Sequence, residues 1–193
     1  MGDEGLEAAL DAAREGDEAG VNALYQAFQP PLLRYLRWRS PGGAEDLAQE
    51  TWLAVARGLP RFEGGVSEFR AWLFAIARRK LVDEQRAALR RPRSEPWPAR
   101  DEPGTLVLDP GQDPGDLVAG ELDAQRAVAA LTEHLSEEVA EVVVLRVVAG
   151  LSVEQVAALT GRSPGAIRVL QHRALRKLAR ALGPTGSLEA QEA

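Results

Sequence analysis

Arg168, Gln171, His172, Arg173, Arg176, Lys177 and Arg180 lie in a stretch from Arg162 to Ala181 that carries no carboxylate at all. Side chains of this kind recognise nucleic acid. Arginine forks onto guanine, glutamine pairs with adenine, and the remaining cations neutralise phosphate. A second group has the opposite sign: Asp46, Gln49 and Glu50 are three and four positions apart, so on a helix they share one face. Paired carboxylates can act as general acid and base. Here no histidine, metal-ligand set or glycine-rich phosphate loop accompanies them, and a solvated or docking face is the better reading. His172 has His134 as its one fellow histidine and the chain has no cysteine, so no metal site is expected. No cofactor is expected either.

The basic residues need a helix to present them. Ser152 and Gln155 have the spacing of a capping box, and Val156, Ala157 and Leu159 give that helix a buried side. Gly161 ends it, since glycine accepts the left-handed conformation of a helix terminus. Ser163-Pro164 then starts a second helix with a cap residue and a proline at the first helical position. Ile167, Leu170, Ala174 and Leu178 form its apolar stripe. Two helices joined by a tight glycine turn have the layout of a helix-turn-helix, with DNA as partner. A solvated basic helix closing a bundle is the bland alternative for any one of these features, and their combination favours DNA.

Upstream, Leu6 to Ala13, Ala19 to Phe28 and Leu32 to Trp38 read as short amphipathic helices, broken at Gly16-Asp17 and at Pro30-Pro31. Another runs from Ala44 to Arg57, with Leu47 and Ala54 apolar behind Asp46, Gln49 and Glu50. A loop, Gly58 to Gly65, leads into a long helix from about Ser67 that carries Phe69, Trp72, Leu73, Ile76, Ala77, Lys80 and Leu81 into a strongly basic end at Arg86, Arg90 and Arg91. Spacing assigns Trp72 to the core rather than to a base. Residues 92–120 are rich in proline, glycine and acid, long for a loop within one domain, and read as a flexible linker. Helices resume through Leu131 and the Val139 to Val148 run, which Ser136-Glu137-Glu138 and Gly150 bracket as helix despite its strand-like Val142-Val143-Val144-Leu145. The expectation is an all-α chain of two small helical domains, 1–91 and 121–182, with a disordered tail at 183–193.

Composition sets the class. The 193 residues carry 23 lysines and arginines against 29 acids, a net charge of -6. That balance argues against nonspecific coating of nucleic acid, which runs on phosphate neutralisation. The cations are concentrated instead, from Arg70 to Arg93 and from Arg162 to Arg180, which implies two DNA contacts. An acidic amino terminus, the absence of cysteine and the lack of a membrane-length apolar run point to a cytoplasmic protein with no membrane insertion.

Two blocks of sequence carry a family resemblance. Ala44-Glu45-Asp46-Leu47-Ala48-Gln49-Glu50-Thr51-Trp52 with Phe69-Arg70-Ala71-Trp72-Leu73-Phe74-Ala75-Ile76-Ala77-Arg78-Arg79 is similar to region 2 of the extracytoplasmic-function, or group IV, RNA polymerase sigma factors. Leu145-Arg146-Val147-Val148-Ala149-Gly150-Leu151-Ser152 and the helix-turn-helix after it resemble region 4. The resemblance implies that Asp46, Gln49 and Glu50 bind the clamp region of the largest catalytic subunit of core RNA polymerase, with Trp52 supporting them from the core. It implies that the loop Arg61 to Glu68 captures an unpaired minus-10 base, with Phe62 able to stack; a plain flexible turn is the competing reading. By the same likeness Arg61, Phe62, Arg78, Arg79, Asp83 and Arg86 face minus-10 DNA. The second helix of region 4 enters the major groove at minus-35, where Arg162, Ser163, Arg168, Gln171, His172, Arg173 and Arg176 make the contacts. Leu170 and Gln171 depart from the family's usual basic and aliphatic residues, as Arg79 does from a frequent asparagine.

The function implied is transcription initiation from specific promoters, without covalent chemistry by the chain itself, under control of an anti-sigma factor. The alternative is a stand-alone helix-turn-helix regulator whose amino-terminal domain dimerises or senses. An enzyme using Asp46 and Glu50 is a weaker third reading.

Overall fold

The computed structural model describes residues 2–90, 125–126, 128–129 and 132–182. The linker, the tail, Arg91 and Leu131 lie outside the described residues. What is described is helical, with no strand among it. The chain divides into two compact units, Met1–Glu121 and Leu122–Ala193.

In the first unit α1 spans Asp3–Arg14, α2 Glu18–Arg39, α3 Ala44–Gly58 and α4 Val66–Arg90. The turn between α1 and α2 uses Gly16 at φ 87, and the Asp17 carboxylate caps α2 by accepting from the Ala19 N–H at 3.3 Å. Close approach of the two helices requires Gly20. A Cβ there would lie 2.7 Å from both the Ala13 nitrogen and the Ala9 oxygen.

The expected break at Pro30-Pro31 does not occur: α2 runs through both prolines. A proline inside a helix costs about 3 kcal/mol, because it has no N–H to give to the helix ladder and its ring crowds the preceding turn. Tertiary burial offsets this. Leu24, Phe28, Leu32, Tyr35 and Leu36, on both sides of the pair, are each at most 3% exposed, and each such side chain contributes about 1.5–3 kcal/mol.

α3 buries Ala44, Leu47, Ala48, Thr51 and Val55, and the Thr51 hydroxyl, inaccessible to water, donates to the Leu47 carbonyl at 2.6 Å. Ala54 is half-buried at the edge of that stripe. After α3, Leu59–Arg61 make one 3-10 turn. α4 buries Phe69, Leu73, Phe74, Ala77 and Leu81. Trp72 and Ile76, expected in the core, are half-buried on the flank of this stripe, because the stripe turns through Phe74 and leaves them on its edge.

In the second unit residues 125–126, 128–129 and 132–133 are helical, followed by α5 Glu137–Val147, α6 Val153–Thr160 and α7 Pro164–Leu182. The valine run lies in helix α5 with Val142, Val143, Val144 and Leu145 buried. β-branched residues are tolerated in a helix when the face they occupy is the core.

Candidate polymerase and nucleic-acid interfaces

α6 and α7 are fixed by local chemistry at every joint. Ser152 Oγ accepts from the Gln155 N–H at 3.1 Å while Gln155 Oε1 accepts from the Ser152 N–H at 2.8 Å, a complete capping box. Gly161 ends α6 at φ 69, in the left-handed region, and Arg162 N–H bonds back to the Ala157 carbonyl at 3.0 Å. Ser163 Oγ then accepts from the Ala166 N–H at 3.2 Å at the start of α7. Its hydroxyl proton remains available to a phosphate.

Ile167, Leu170, Ala174 and Leu178 are buried, so Leu170 belongs to the core. That register leaves Arg168, His172, Arg173 and Arg176 exposed and Gln171 half-buried at the margin. The structure therefore brings four of the expected minus-35 residues to one continuous surface of α7, with Arg162 and Ser163 at its mouth. Two arginines on it are engaged. Arg168 Nη2 lies 2.9 Å from Glu154 Oε1 on α6, and Arg162 pairs with Glu138 on α5. The acid-free run thus faces carboxylates from neighbouring helices, which no inspection of the run itself discloses. Val169 is 50% exposed between Arg168 and Arg173, an apolar side chain of the kind that meets a thymine methyl. Helical spacing sets it off the Ile167, Leu170, Ala174 and Leu178 stripe, but an apolar side chain among cations carries no nucleic-acid signal of its own.

In the first unit Asp46, Gln49 and Glu50 are all exposed on α3. Leu53, 44% exposed, follows Asp46 by seven and Gln49 by four, so it continues the same face. Glu50 Oε2 is 2.7 Å from Lys80 Nζ on α4. Trp52 is half-buried, and its indole N–H donates to Gln29 Oε1 at 2.7 Å while its ring lies 5.2 Å from Tyr25. It ties α3 to α2 at the rim of the core. Burial raises the Tyr25 phenol pKa. Next to the acidic face, the Arg37 hydrogen bond to Glu45 lowers the Glu45 pKa, outweighing desolvation.

The loop before α4 is aromatic and closely held. Phe62 is half-buried and stacks on Trp72, centroids 4.9 Å apart at 20°, with Phe69 edge-on at 5.8 Å. Gly64 has φ 123, a conformation that a side chain resists. Glu68 reaches back to the Gly65 N–H at 3.1 Å. Phe62 thus has an aromatic partner, and Glu68 holds the turn at Gly65. Arg61 beside it is exposed. On α4, Arg79, Asp83 and Arg86 are exposed on one face at spacings of four and three, whereas Arg78 is half-buried one position round.

A helix-turn-helix with a basic second helix, together with a helical bundle that shows an acidic face and an aromatic loop, has the layout of a DNA-binding protein with a second, protein-docking domain. Residues 24–91 match the sigma-70 region 2 family and residues 125–178 match sigma-70 region 4. The chain is 41% identical over 178 residues to the extracytoplasmic-function RNA polymerase sigma factor ShbA of Streptomyces griseus, covering 89% of this chain and 92% of that protein. It is 36% identical over 184 residues to the sigma factor SigD of Mycobacterium bovis, covering 92% and 84%. The solved structure of CnrH in complex with the cytosolic domain of CnrY aligns with a TM-score of 0.59 at 24% identity, covering 93% of this chain and 98% of that one, a likeness of fold. The chain belongs to the extracytoplasmic-function sigma factors of the sigma-70 family. It is an initiation factor that binds core RNA polymerase and promoter DNA. The stand-alone regulator gives way, since its sensing or dimerising domain is a sigma region 2. Among the described residues no helix is long and apolar enough to cross a membrane.

Proposed function

We propose a division of labour among the named residues. Asp46, Gln49 and Glu50 dock on the clamp of the largest polymerase subunit, Arg61, Phe62, Arg78, Arg79, Asp83 and Arg86 serve the minus-10 element, and Arg162, Ser163, Arg168, Gln171, His172, Arg173 and Arg176 serve minus-35. The observation that carries this reading is the segregation of charge by helix. The acidic face belongs to α3, whereas the exposed face of α7 carries Arg168, His172, Arg173 and Arg176 without an acid of its own. Arg168 and Gln171 suit base edges, and Arg176 suits a phosphate.

The protein carries out no covalent chemistry and acts in the cytoplasm, where polymerase is. An anti-sigma factor restrains it by covering apolar side chains that water otherwise meets. Leu53, Val147, Val169 and Leu175 are between 44% and 66% exposed. The linker residues 92–120 connect a 1–91 domain to a 121–182 domain and set the span between the two promoter contacts.

Alanine substitutions in the three groups, compared for core binding and for promoter footprints, test the assignment. Loss of core binding should follow the α3 group alone. Loss of upstream protection should follow the α7 group, and loss of promoter opening the loop and α4 group. Any α7 substitution that abolished core binding, or an α3 substitution confined to minus-35 protection, would refute the division.

A further inference from the structure

α1 carries two stripes. Leu6, Ala9, Leu10 and Ala13 are buried. Glu7, Asp11 and Arg14, at spacings of four and three, form a polar stripe beside them, and two of these three residues reach the loop that precedes α4. Glu7 Oε1 accepts from the Val66 N–H at 2.8 Å. Arg14 Nη2 donates to the Gly64 carbonyl, its guanidinium carbon lies 5.5 Å over the Phe62 ring, and its Nη1 is 2.6 Å from Asp11 Oδ1.

The first N–H groups of a helix have no partner within it. At the start of α4, Glu68 satisfies Gly65 from inside the helix, and the next donor, Val66, is satisfied from α1, 59 residues away. Gly65 leaves the room this needs, because a Cβ there would stand 2.8 Å from Glu7 Oε1. The loop from Phe62 to Val66 is therefore held at its aromatic ring, at one carbonyl and at one N–H by side chains of α1. None of those side chains lies within residues 24–91, which match region 2.

We infer that α1 is part of the promoter-reading apparatus, with Glu7 and Arg14 as positioning residues that fix the minus-10 loop in its base-accepting shape. The inference rests on the minus-10 assignment proposed for that loop. A pocket for an extruded base discriminates only if its walls are fixed before the base arrives, so that a poorly fitting base is not accommodated by rearrangement. Arg14 also makes a cation–π contact with Phe62, 5.5 Å from the ring centroid, on a ring that stacks on Trp72. Releasing either latch removes one of the two α1 anchors and leaves the loop held by the other and by the packing of Phe62 on Trp72 and Phe69.

The test uses holoenzyme reconstituted from core polymerase and the full chain, on a promoter whose non-template minus-10 bases are replaced one at a time. The readout is the ratio of run-off transcript on the parent promoter to that on each variant, with core affinity and the unfolding midpoint by tryptophan fluorescence as controls. Glu7→Ala and Arg14→Ala should reduce discrimination at the captured base by about tenfold, the loss expected for one charge-assisted hydrogen bond, with core affinity unchanged. Glu7→Gln keeps an acceptor oxygen for Val66 and should restore discrimination. A parallel loss on every promoter, or none on any, overturns the inference. Phe62→Ala separates the two levels. If it leaves the base profile intact, the minus-10 reading of the loop fails. If it flattens the profile while Glu7→Ala and Arg14→Ala do not, only the latch fails.

Discussion

Gly161 forms the turn between α6 and α7, and replacing it isolates one physical effect. The residue is at φ 69, and a Cβ added there meets nothing within 4 Å. Steric cost against neighbours is therefore nil, and the whole effect of Gly161→Ala is backbone. The left-handed conformation costs an L-residue about 1–2 kcal/mol. Alanine also removes freedom from the unfolded chain, which returns about 0.4–1 kcal/mol. The net expectation is a loss of about 1 kcal/mol, equivalent to ~4–8 °C in the midpoint of a small domain. Gly161→Asn should lose less, because asparagine visits this conformation readily. The assay exploits the placement of Trp38, Trp52, Trp72 and Trp97, all before Glu121. Tryptophan fluorescence follows the first unit, while far-ultraviolet circular dichroism follows helix in both. Gly161→Ala should shift the dichroism transition that fluorescence does not report and leave the fluorescence transition in place. Equal losses for alanine and asparagine, or a loss above about 3 kcal/mol, beyond what backbone strain supplies, would mean that Gly161 does more than adopt a left-handed backbone.

Glu50→Ala should weaken core polymerase binding at least tenfold yet change stability by less than about 1 kcal/mol, because its bond to Lys80 is an exposed pair; Lys80→Ala should reproduce the stability change without the binding loss. Arg176→Ala should lower the salt dependence of promoter binding by about one unit of slope on every sequence, whereas Arg168→Ala should cost about 1–3 kcal/mol of discrimination at one base pair, both read by binding titrations across salt. Arg37 holds the Glu45 carboxyl below its ordinary 4.5, so this pair stabilises the fold above that pH and the contribution is lost as pH falls through the lowered value. Arg37→Gln should return the carboxyl toward the ordinary range in an NMR titration, and a carboxyl that stayed depressed would assign the shift to the helix amino terminus instead.

The helix-turn-helix was legible because each of its signals is local. Ser152 and Gln155 are three apart, Gly161 needs only its own φ, and Ser163-Pro164 needs only the turn that follows it. The acidic face was legible for the same reason, since Asp46, Gln49 and Glu50 are placed by helical spacing alone. α2 was not, because Pro30-Pro31 is a strong local signal overruled by distant packing. The apolar series Leu24, Phe28, Leu32 and Leu36 crosses the prolines at a constant step of four, and giving it priority would have joined the two halves. The pairing of Arg168 with Glu154 and of Val66 with Glu7 spans 14 and 59 residues. Partners at that separation are fixed by tertiary structure, so the free appearance of the basic helix and the plainness of α1 in the sequence were both misleading.

As a sigma factor, this chain confers promoter-specific initiation on core RNA polymerase. Run-off transcription by bacterial core enzyme, with and without the protein, on a pool of promoters from its own genome including the one upstream of its gene, tests it directly. Transcripts that appear only with the protein, share two sequence elements upstream of their starts and vanish with Glu50→Ala are the predicted result. Absence of protein-dependent transcripts together with absence of core binding would mean that the chain does not act as a sigma factor.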